Sequence, residues 1–235
     1  MAILEFKDVS YTHNEKNILE NISIEIDLGD FISIVGHSGS GKSTFLKLCS
    51  DLITPTDGYI KYKDKYFSDY DPIELRKNIA YCFQTPYLFG DTVMDNISFA
   101  YSIRGKKIDL DRVNKLFSMF NLNEDYLEKG VLNLSGGEKQ RIALIRSLLF
   151  NPEVLLLDEV TSALDVDNTL VVESVINSLN EKGTTILWVT HNIEQSRKYA
   201  NKVLTIDTGK IKSLEVIEWT TALQWIYILF WFLHL

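Results

Sequence analysis

The stretch FISIVGHSGSGKST, residues 31–44, decides how this chain folds. Residues 31–35 form a short apolar run typical of a buried strand, and residues 36–43 follow it as the pattern GxxxxGKS. Such glycines let a loop curl so that several backbone N–H groups face one anion, and a helix after the loop adds its positive N-terminal end. The sequence therefore predicts a strand, a phosphate-binding loop and a helix through Leu48. A plain glycine-rich turn is the alternative, and the flanking strand and helix disfavour it.

Strands and helices alternate around this stretch, which favours an α/β fold with a mostly parallel sheet. Helix starts at residues 91–92 and 109–111, with apolar spacing near 3.6 over residues 90–130, predict a small helical subdomain. The other predicted helices cover about residues 168–180 and 193–200. The other predicted strands are 22–26, 79–83, 154–157 and 184–189, an exposed pair within 59–67, and a final hairpin of 203–206 and 211–214.

The composition excludes some classes of function. Lys and Arg number 24 against 32 Asp and Glu, so the formal net charge is -8. Because nucleic-acid binding needs a basic surface, we expect no general affinity for DNA or RNA. The two cysteines, Cys49 and Cys82, are too few for a disulfide framework and are expected to be buried as small hydrophobic residues.

A second motif, VLLLDE at residues 154–159, is a buried strand that ends in two acids. Since ligands bind at the carboxyl ends of parallel strands, Asp158 is expected beside the phosphate loop, where a carboxylate can hold Mg²⁺. Glu159 can then polarise a water against the γ-phosphate. The alternative is a strand end that simply meets solvent.

A third motif, LSGGE at residues 134–138, places two adjacent glycines at a predicted helix start. Free N–H groups there form a second anion site. A plain capping box of Ser135 with Glu138 is the alternative, and it leaves the paired glycines unexplained. Two phosphate-binding helix starts in one chain suggest a nucleotide held between two copies of the chain.

These motifs, in this order over residues 3–213, resemble those of the nucleotide-binding subunit of ATP-binding cassette (ABC) transporters. Residues 36–43 resemble the Walker A loop, residues 154–159 Walker B, and residues 134–138 the family's signature. Further matches are Tyr11 for the aromatic A-loop, Gln84 for the Q-loop, Ser162 to Asp165 for the D-loop and His191 for the switch histidine. The resemblance implies a P-loop NTPase cassette, with a RecA-like, mostly parallel core, an antiparallel β part and a small helical subdomain.

The resemblance also implies ATP hydrolysis, with ATP and Mg²⁺ bound between two chains that pack head to tail. It assigns catalytic roles to Lys42, Gln84, Glu159 and His191, and Mg²⁺ contacts to Ser43, Gln84 and Asp158. It assigns nucleotide contacts to Tyr11, Gly36, His37, Ser38, Gly39, Ser40, Gly41, Lys42, Ser43, Thr44, Ser135, Gly136, Gly137 and Asp165. Taken alone, His191 and Tyr11 are also compatible with strand-end residues that have no role.

One residue departs from the family pattern. Proline usually follows the Walker B glutamate, and this chain has Val160 there. Since that position touches no phosphate in the family geometry, the change puts the rigidity of the loop in doubt and leaves the expected activity in place.

The stretches YCFQTP (81–86) and ILWVTH (186–191) resemble the iron-export ATP-binding subunits of bacteria. The resemblance implies a subunit on the cytoplasmic face of the membrane, paired with a separate polytopic permease that selects the cargo. Export of another small or lipophilic cargo, or import, is the first alternative. An ABC ATPase acting on ribosomes or DNA is a further one, although such relatives usually carry two cassettes, a long coiled coil or a basic arm. A regulatory module without turnover is disfavoured by Glu159 and His191.

The last residues need their own explanation. Residues 219–235 contain no Asp, Glu, Lys or Arg and include Trp219, Trp225 and Trp231. We therefore expect an ATP-binding domain at 1–213, with its helical subdomain at about 88–150, and a hydrophobic tail at 214–235. Three interpretations of the tail stay open: a frameshift or truncated fusion to a membrane-subunit sequence, contact with a membrane, or a helix packed on the domain.

Overall fold

Two β-sheets and seven α-helices make up the part of the chain that the computed structural model describes, residues 1–217. The strands are β1 (Ala2–His13), β2 (Lys16–Asp27), β3 (Phe31–Val35), β4 (Asp57–Tyr62), β5 (Lys65–Tyr66), β6 (Ile79–Cys82), β7 (Val154–Asp158), β8 (Thr185–Val189), β9 (Lys202–Asp207) and β10 (Lys210–Val216). The helices are α1 (Lys42–Cys49), α2 (Pro72–Asn78), α3 (Val93–Ser102), α4 (Leu110–Met119), α5 (Gly136–Leu148), α6 (Val166–Asn180) and α7 (Ile193–Lys198). Short 3₁₀ turns lie at Phe67–Asp69, Glu124–Glu128 and Val131–Asn133.

The larger sheet has six strands in the order β10-β9-β3-β8-β7-β6. All neighbours in it pair in parallel except β10, which pairs antiparallel with β9. Every residue of β7 and β8 is buried, as parallel strands covered on both faces require. The parallel arrangement brings the carboxyl ends of β3, β6, β7 and β8 to one edge of the sheet. Four predicted site segments follow these ends, namely residues 36–43, Gln84, residues 158–159 and His191.

The smaller sheet is antiparallel, in the order β2-β1-β4-β5, and forms the predicted antiparallel part. The core divides between the two faces of the larger sheet because successive strand residues point to opposite sides. Leu156 packs with α1 and the antiparallel sheet, whereas Leu155 and Leu157 pack with the helical part of the chain.

The helical part follows β6 and contains α3, α4 and α5. Its helices begin where the sequence predicts. Thr92 caps α3 in a capping box with Asp95, and Asp109 caps α4 by accepting a hydrogen bond from the N–H of Arg112. These side chains satisfy N–H groups that have no partner inside the helix, which is why each helix starts at that residue. The two helix starts predicted from sequence are confirmed.

Several elements differ from the sequence prediction. The long strand β1 and the short helix α2 were not predicted, and β5 is only two residues long because a 3₁₀ turn starts at Phe67. Helix α6 begins earlier than predicted, at Val166, since Asp165 caps it. Helix α7 ends at Lys198, before residue 200.

The last strand runs past residue 213 to Val216 and pairs with β9 along that length. Most of the predicted tail, residues 218–235, lies outside the described residues, and so do its three interpretations. Within residues 1–217, no helix combines the length and apolar character needed to cross a membrane. Both cysteines are free and buried, as predicted.

Candidate active site

The phosphate loop lies between β3 and α1, and its glycines are required by close contacts. A Cβ atom added at Gly36 would lie 2.1 Å from the carbonyl oxygen of Ile206. Gly41, the residue before α1, has a φ of 106°, and a Cβ atom there would lie 2.7 Å from the Leu19 side chain. A side chain at either position would push the loop away from β9 or β2. The loop is therefore held tightly against the two sheets, with its backbone fixed around the start of α1.

Lys42, the first residue of α1, reaches back across this loop. Its Nζ donates hydrogen bonds to the carbonyl oxygens of Gly36 at 3.0 Å and His37 at 2.8 Å. Only 5% of the residue is exposed, and this burial lowers its pKa, while Glu159 and Asp158 partly offset the effect. A buried ammonium group with only backbone carbonyl partners is suited to binding an anion placed in the loop.

Asp158 ends β7 directly below the loop, and both of its carboxylate oxygens have a hydroxyl partner. Ser43 Oγ donates to Oδ1 at 3.0 Å, and the hydroxyl of Tyr81 donates to Oδ2 at 2.7 Å. Asp158 is 6% exposed. The structure thus brings Ser43 and Asp158 together as the sequence predicts, and it adds Tyr81, which sequence reasoning missed.

Glu159, the next residue, lies between Gln84 and His191. Its Oε2 accepts a hydrogen bond from Gln84 Nε2 at 2.8 Å, and its Oε1 lies 2.8 Å from His191 Nε2. Its φ is 50°, a left-handed backbone conformation that is uncommon for a residue with a side chain. The three predicted residues are therefore brought together, at the cost of local backbone strain at Glu159.

The loop after Glu159 is anchored on both sides. The N–H of Glu159 donates to the carbonyl oxygen of Val189 at 3.1 Å, and the N–H of Ser162 donates to the carbonyl oxygen of Glu159 at 3.0 Å. Val160 is 1% exposed and packs in the core shared with the helical part. Burial of Val160 therefore holds this segment against the core.

These residues fit a nucleoside triphosphate with Mg²⁺. The side-chain oxygens of Ser43 and Asp158 are hard ligands, and Mg²⁺ prefers one or two carboxylates together with phosphate oxygens. Within the loop, Ser40 Oγ is buried and has no hydrogen-bond partner. No group of three or more His, Cys, Asp or Glu that could hold a metal ion occurs within residues 1–217. The donor set is therefore suited to a metal that shares its ligands with phosphate.

Other predicted residues lie around the loop. Tyr11 pairs with Leu19 across β1 and β2, and its ring stacks on His13 with centroids 6.4 Å apart. His37 is held by Asp207, whose Oδ1 lies 3.1 Å from His37 Nε2. The remaining predicted residues of the loop and α1 are Ser38 and Gly39, which are exposed, and Thr44, which is half-buried.

The second anion site begins α5. Ser135 Oγ accepts from the N–H of Glu138 at 3.2 Å, and Glu138 Oε2 accepts from the N–H of Ser135 at 2.7 Å, so the capping box is present. Gly136 is exposed, and a Cβ atom there would meet nothing within 4 Å. Gly137 faces Leu164, whose Cδ2 would lie 3.3 Å from an added Cβ. The first N–H groups of α5 are thus open to another molecule.

Asp165 lies at the start of α6, next to Leu164. Its carboxylate accepts from both the backbone N–H and the side-chain amide of Asn168, each at 2.8 Å, and these bonds lower its pKa. In the described part of the chain, no hydrogen bond or ion pair joins residues 135–137 or Asp165 to the phosphate loop. The start of α5 and the phosphate loop are therefore two separate candidate sites within the described residues.

Sequence reasoning also missed a buried polar cluster behind Glu159 and His191. Gln195 Nε2 donates to Glu173 Oε1 at 2.8 Å and to Thr161 Oγ1 at 3.1 Å, and Gln195 Oε1 accepts from Thr190 Oγ1. Thr161 and Thr190 are close neighbours of Glu159 and His191 along the chain. Thr161 and Glu173 lie 34 and 22 residues from Gln195, so no short sequence pattern identifies them as its partners.

Comparison with known proteins shows which family this chain resembles over most of its length. The family model described as "ABC transporter" matches residues 19–162. "Probable iron export ATP-binding protein FetA" of Escherichia coli strain K12 is 42% identical over 205 residues, which cover 87% of this chain and 91% of that protein. "ABC transporter I family member 17" of Arabidopsis thaliana is 40% identical over 202 residues, which cover 86% of this chain and 76% of that protein.

A solved structure extends the similarity to the whole described fold. The ATP-binding cassette MJ0796, in a dimeric post-hydrolysis state bound to ADP and Pi, has a TM-score of 0.81 at 29% identity. The match covers 92% of this chain and 100% of that chain.

Proposed function

Because the chain belongs to the ABC transporter family and is an ATPase of that family, we propose that two copies of it hydrolyse ATP between them and drive a separate membrane permease. The observation that carries the proposal is the set of contacts at the ends of β6, β7 and β8. There Gln84 and His191 hold Glu159 at 2.8 Å each, beside a phosphate loop whose lysine is buried.

The first half of the site binds the phosphates. The N–H groups of residues 36–43 and the ammonium group of Lys42 surround them, with Ser40 Oγ as a further donor and Thr44 at the start of α1. Ser43, Asp158 and Gln84 would hold Mg²⁺, which would supply positive charge to the β- and γ-phosphates. Tyr11 stacks on the base.

Glu159 acts as the general base. Its carboxylate orients a water and accepts its proton as the water attacks the γ-phosphate. Gln84 and His191 fix the direction of that carboxylate, since each occupies one of its oxygens. His191 also contacts the γ-phosphate.

The second half of the site comes from the other copy. The exposed N–H groups at the start of α5 and the neighbouring Asp165 face the nucleotide of the first copy, which they close over head to tail. The dimeric state of the MJ0796 cassette supports this arrangement. The γ-phosphate then joins the two copies, and its hydrolysis loosens them.

Glu159→Gln tests the catalytic proposal. Glutamine keeps the size of the side chain and cannot accept the proton, so we expect turnover to fall by about 10²-fold or more while ATP binding stays. Steady-state ATPase assays measure turnover. Size-exclusion chromatography with ATP reports ATP binding through dimer formation, and the variant should accumulate as a dimer. Glu25→Gln, at an exposed position of β2, is the matched control. Near-normal turnover in Glu159→Gln contradicts the general-base role.

A cavity of about 360 Å³ beside Gln84 supports docking of a permease. It lies between β6, α3 and α5 and is lined by Phe83, Phe89, Phe99, Ile103, Arg104 and Phe150 among others. Phe83 is 51% exposed and Phe99 47% exposed. Exposed aromatic rings next to arginine are typical of protein–protein interfaces. Through the permease, the chain would lie on the cytoplasmic face of the membrane.

We propose iron as the cargo, because FetA, named for iron export, is similar over most of both chains. Another small or lipophilic cargo is the alternative, since the plant relative is similar to a comparable degree and its name states no cargo. Co-expression with a membrane protein encoded beside the gene, followed by measurement of cellular iron, separates the two. Lowered iron that returns to normal with Glu159→Gln supports export, and unchanged iron despite stimulated ATPase activity supports the alternative.

We propose an ATP-binding domain that has its helical part at about 88–150 and ends a few residues past the predicted boundary at 213, which leaves the rest of the predicted segment 214–235 outside it. Pairing of residues 214–216 in β10 supports a boundary a few residues later for the folded part.

A further inference from the structure

Tyr81 lies one strand away from the metal ligand that it contacts. It belongs to β6 and pairs in register with Leu156 of β7, two residues before Asp158. Its side chain extends along the sheet edge, so that the hydroxyl donates to Asp158 Oδ2 at 2.7 Å. The ring packs against Phe83 with centroids 4.6 Å apart. The hydroxyl is therefore held in place by its hydrogen bond to Asp158 and by the contact of the ring with Phe83.

The two oxygens of Asp158 are used differently. Oδ1 accepts from Ser43, the residue beside which Mg²⁺ would bind, and Oδ2 accepts from Tyr81. The Tyr81 hydroxyl has a single hydrogen, and the geometry directs it to the carboxylate of Asp158. A carboxylate with a hydrogen bond at each oxygen is restrained from rotating about its last bond.

We propose that Tyr81 is a positioning residue that holds Asp158 so that Oδ1 faces Ser43 and Mg²⁺. The inference rests on the proposed function, because it concerns the metal site of the ATPase. Partners of metal ligands fix ligand orientation, and their loss typically weakens metal binding by about 10-fold or more. Tyr81→Phe removes only the hydroxyl and keeps the ring that packs on Phe83.

The test is metal binding by the full chain, measured without turnover. Mn²⁺ is titrated into the protein with a non-hydrolysable ATP analogue and followed by electron paramagnetic resonance. We expect Tyr81→Phe to weaken Mn²⁺ binding by about tenfold and to leave binding of the analogue in EDTA unchanged. Tyr62→Phe is the matched control, since the Tyr62 hydroxyl is also held by a carboxylate, Glu153, at 2.9 Å, but away from Asp158. Wild-type Mn²⁺ affinity in Tyr81→Phe overturns the proposal.

A second measurement needs no metal. In urea denaturation, Tyr81→Phe should cost more unfolding free energy in the wild-type background than in an Asp158→Asn background, because a hydrogen bond to a charged acceptor is stronger. An equal cost in both backgrounds overturns the proposal. If the wild-type chain with the analogue binds no Mn²⁺, the proposed function fails instead, so the two failures are distinguishable.

Discussion

Glu138 shows how one side chain sets the geometry of the second half-site. Its carboxylate accepts from the hydroxyl of Tyr126 at 2.5 Å and from the N–H of Ser135 at 2.7 Å. These bonds, with Tyr126 the larger cause, lower the pKa of Glu138 from 4.5 to about 2. Since the folded state favours the ionised form, the stabilisation is complete above pH 4.5 and is lost as the pH falls towards 2.

Replacing Glu138→Gln therefore gives a pH-dependent change in stability. The variant keeps the size and can still accept hydrogen bonds, but it lacks the charge. We expect it to lose about 1–3 kcal/mol of unfolding free energy at pH 7, and the deficit to shrink as the pH falls below 4.5. Urea denaturation at several pH values measures this, with Glu128→Gln at an exposed position as control. A deficit that does not change with pH contradicts the prediction.

Residues of the candidate site could be located from the sequence where type and spacing within a short segment carry the signal, as in residues 36–43 between β3 and α1. Tyr81 could not be predicted in this way, because its partner Asp158 is 77 residues away and depends on the strand order. The left-handed backbone of Glu159 gave no signal either, since neither glycine nor asparagine stands there. The sequence therefore predicts the reacting groups better than the groups that hold them.

Among the elements, α7 connects the two strand ends of the active site to α6. Gln195 of α7 is 7% exposed, and it bonds Thr161 after β7, Thr190 after β8 and Glu173 of α6. Lys198, also of α7, pairs with the other oxygen of Glu173 at 2.8 Å. A short helix is thus fixed by buried polar contacts, and it holds the segments that carry Glu159 and His191.

Gln195→Met tests this connection at nearly constant volume. It removes the amide that satisfies Glu173 and Thr190, and a buried group without its partner costs about 1–3 kcal/mol. We expect that loss of unfolding free energy in urea denaturation. Glu194→Gln, an exposed neighbour on the same helix, should change it by less than about 0.5 kcal/mol. A loss no larger than that of the control contradicts the assignment.

Element boundaries followed local signals where a side chain caps the helix. Thr92 and Asp109 gave correct starts for α3 and α4. Helix α2 carried the same kind of signal, Asp71 before Pro72, but its seven residues are too few for a clear apolar period. Strand β1 mixes charged and apolar residues and has register shifts, so its alternation is broken. Strand β1 is stabilised by pairing with β2 and β4, and this pairing could not be predicted from the sequence of β1 alone.

At the scale of the whole molecule, the β9–β10 hairpin links the end of the described chain to the phosphate loop. The N–H of Gly209, in its turn, donates to the carbonyl oxygen of Ser40 at 3.0 Å. Two contacts hold the far end of β10. The carboxylate of Glu215 accepts two hydrogen bonds from Arg197, at 3.0 and 2.7 Å. The N–H of Ile217 donates to the carbonyl oxygen of Asn201 at 2.8 Å. Residues 214–217 therefore belong to the folded part.

Two shortened chains test where that part ends. A chain of residues 1–217 keeps all of β10. A chain of residues 1–213 lacks residues 214–216, which pair with residues 202–204 of β9, and it also lacks the hydrogen bonds of Glu215 and Ile217. We expect the shorter chain to melt at least about 3 °C lower, since each kcal/mol shifts the midpoint by about 2–4 °C at this size. ATPase activity of the 1–217 chain equal to that of the full chain would show that residues 218–235 are dispensable for catalysis. Equal melting temperatures for the two shortened chains would instead place the boundary at residue 213, because β10 would then contribute nothing beyond it.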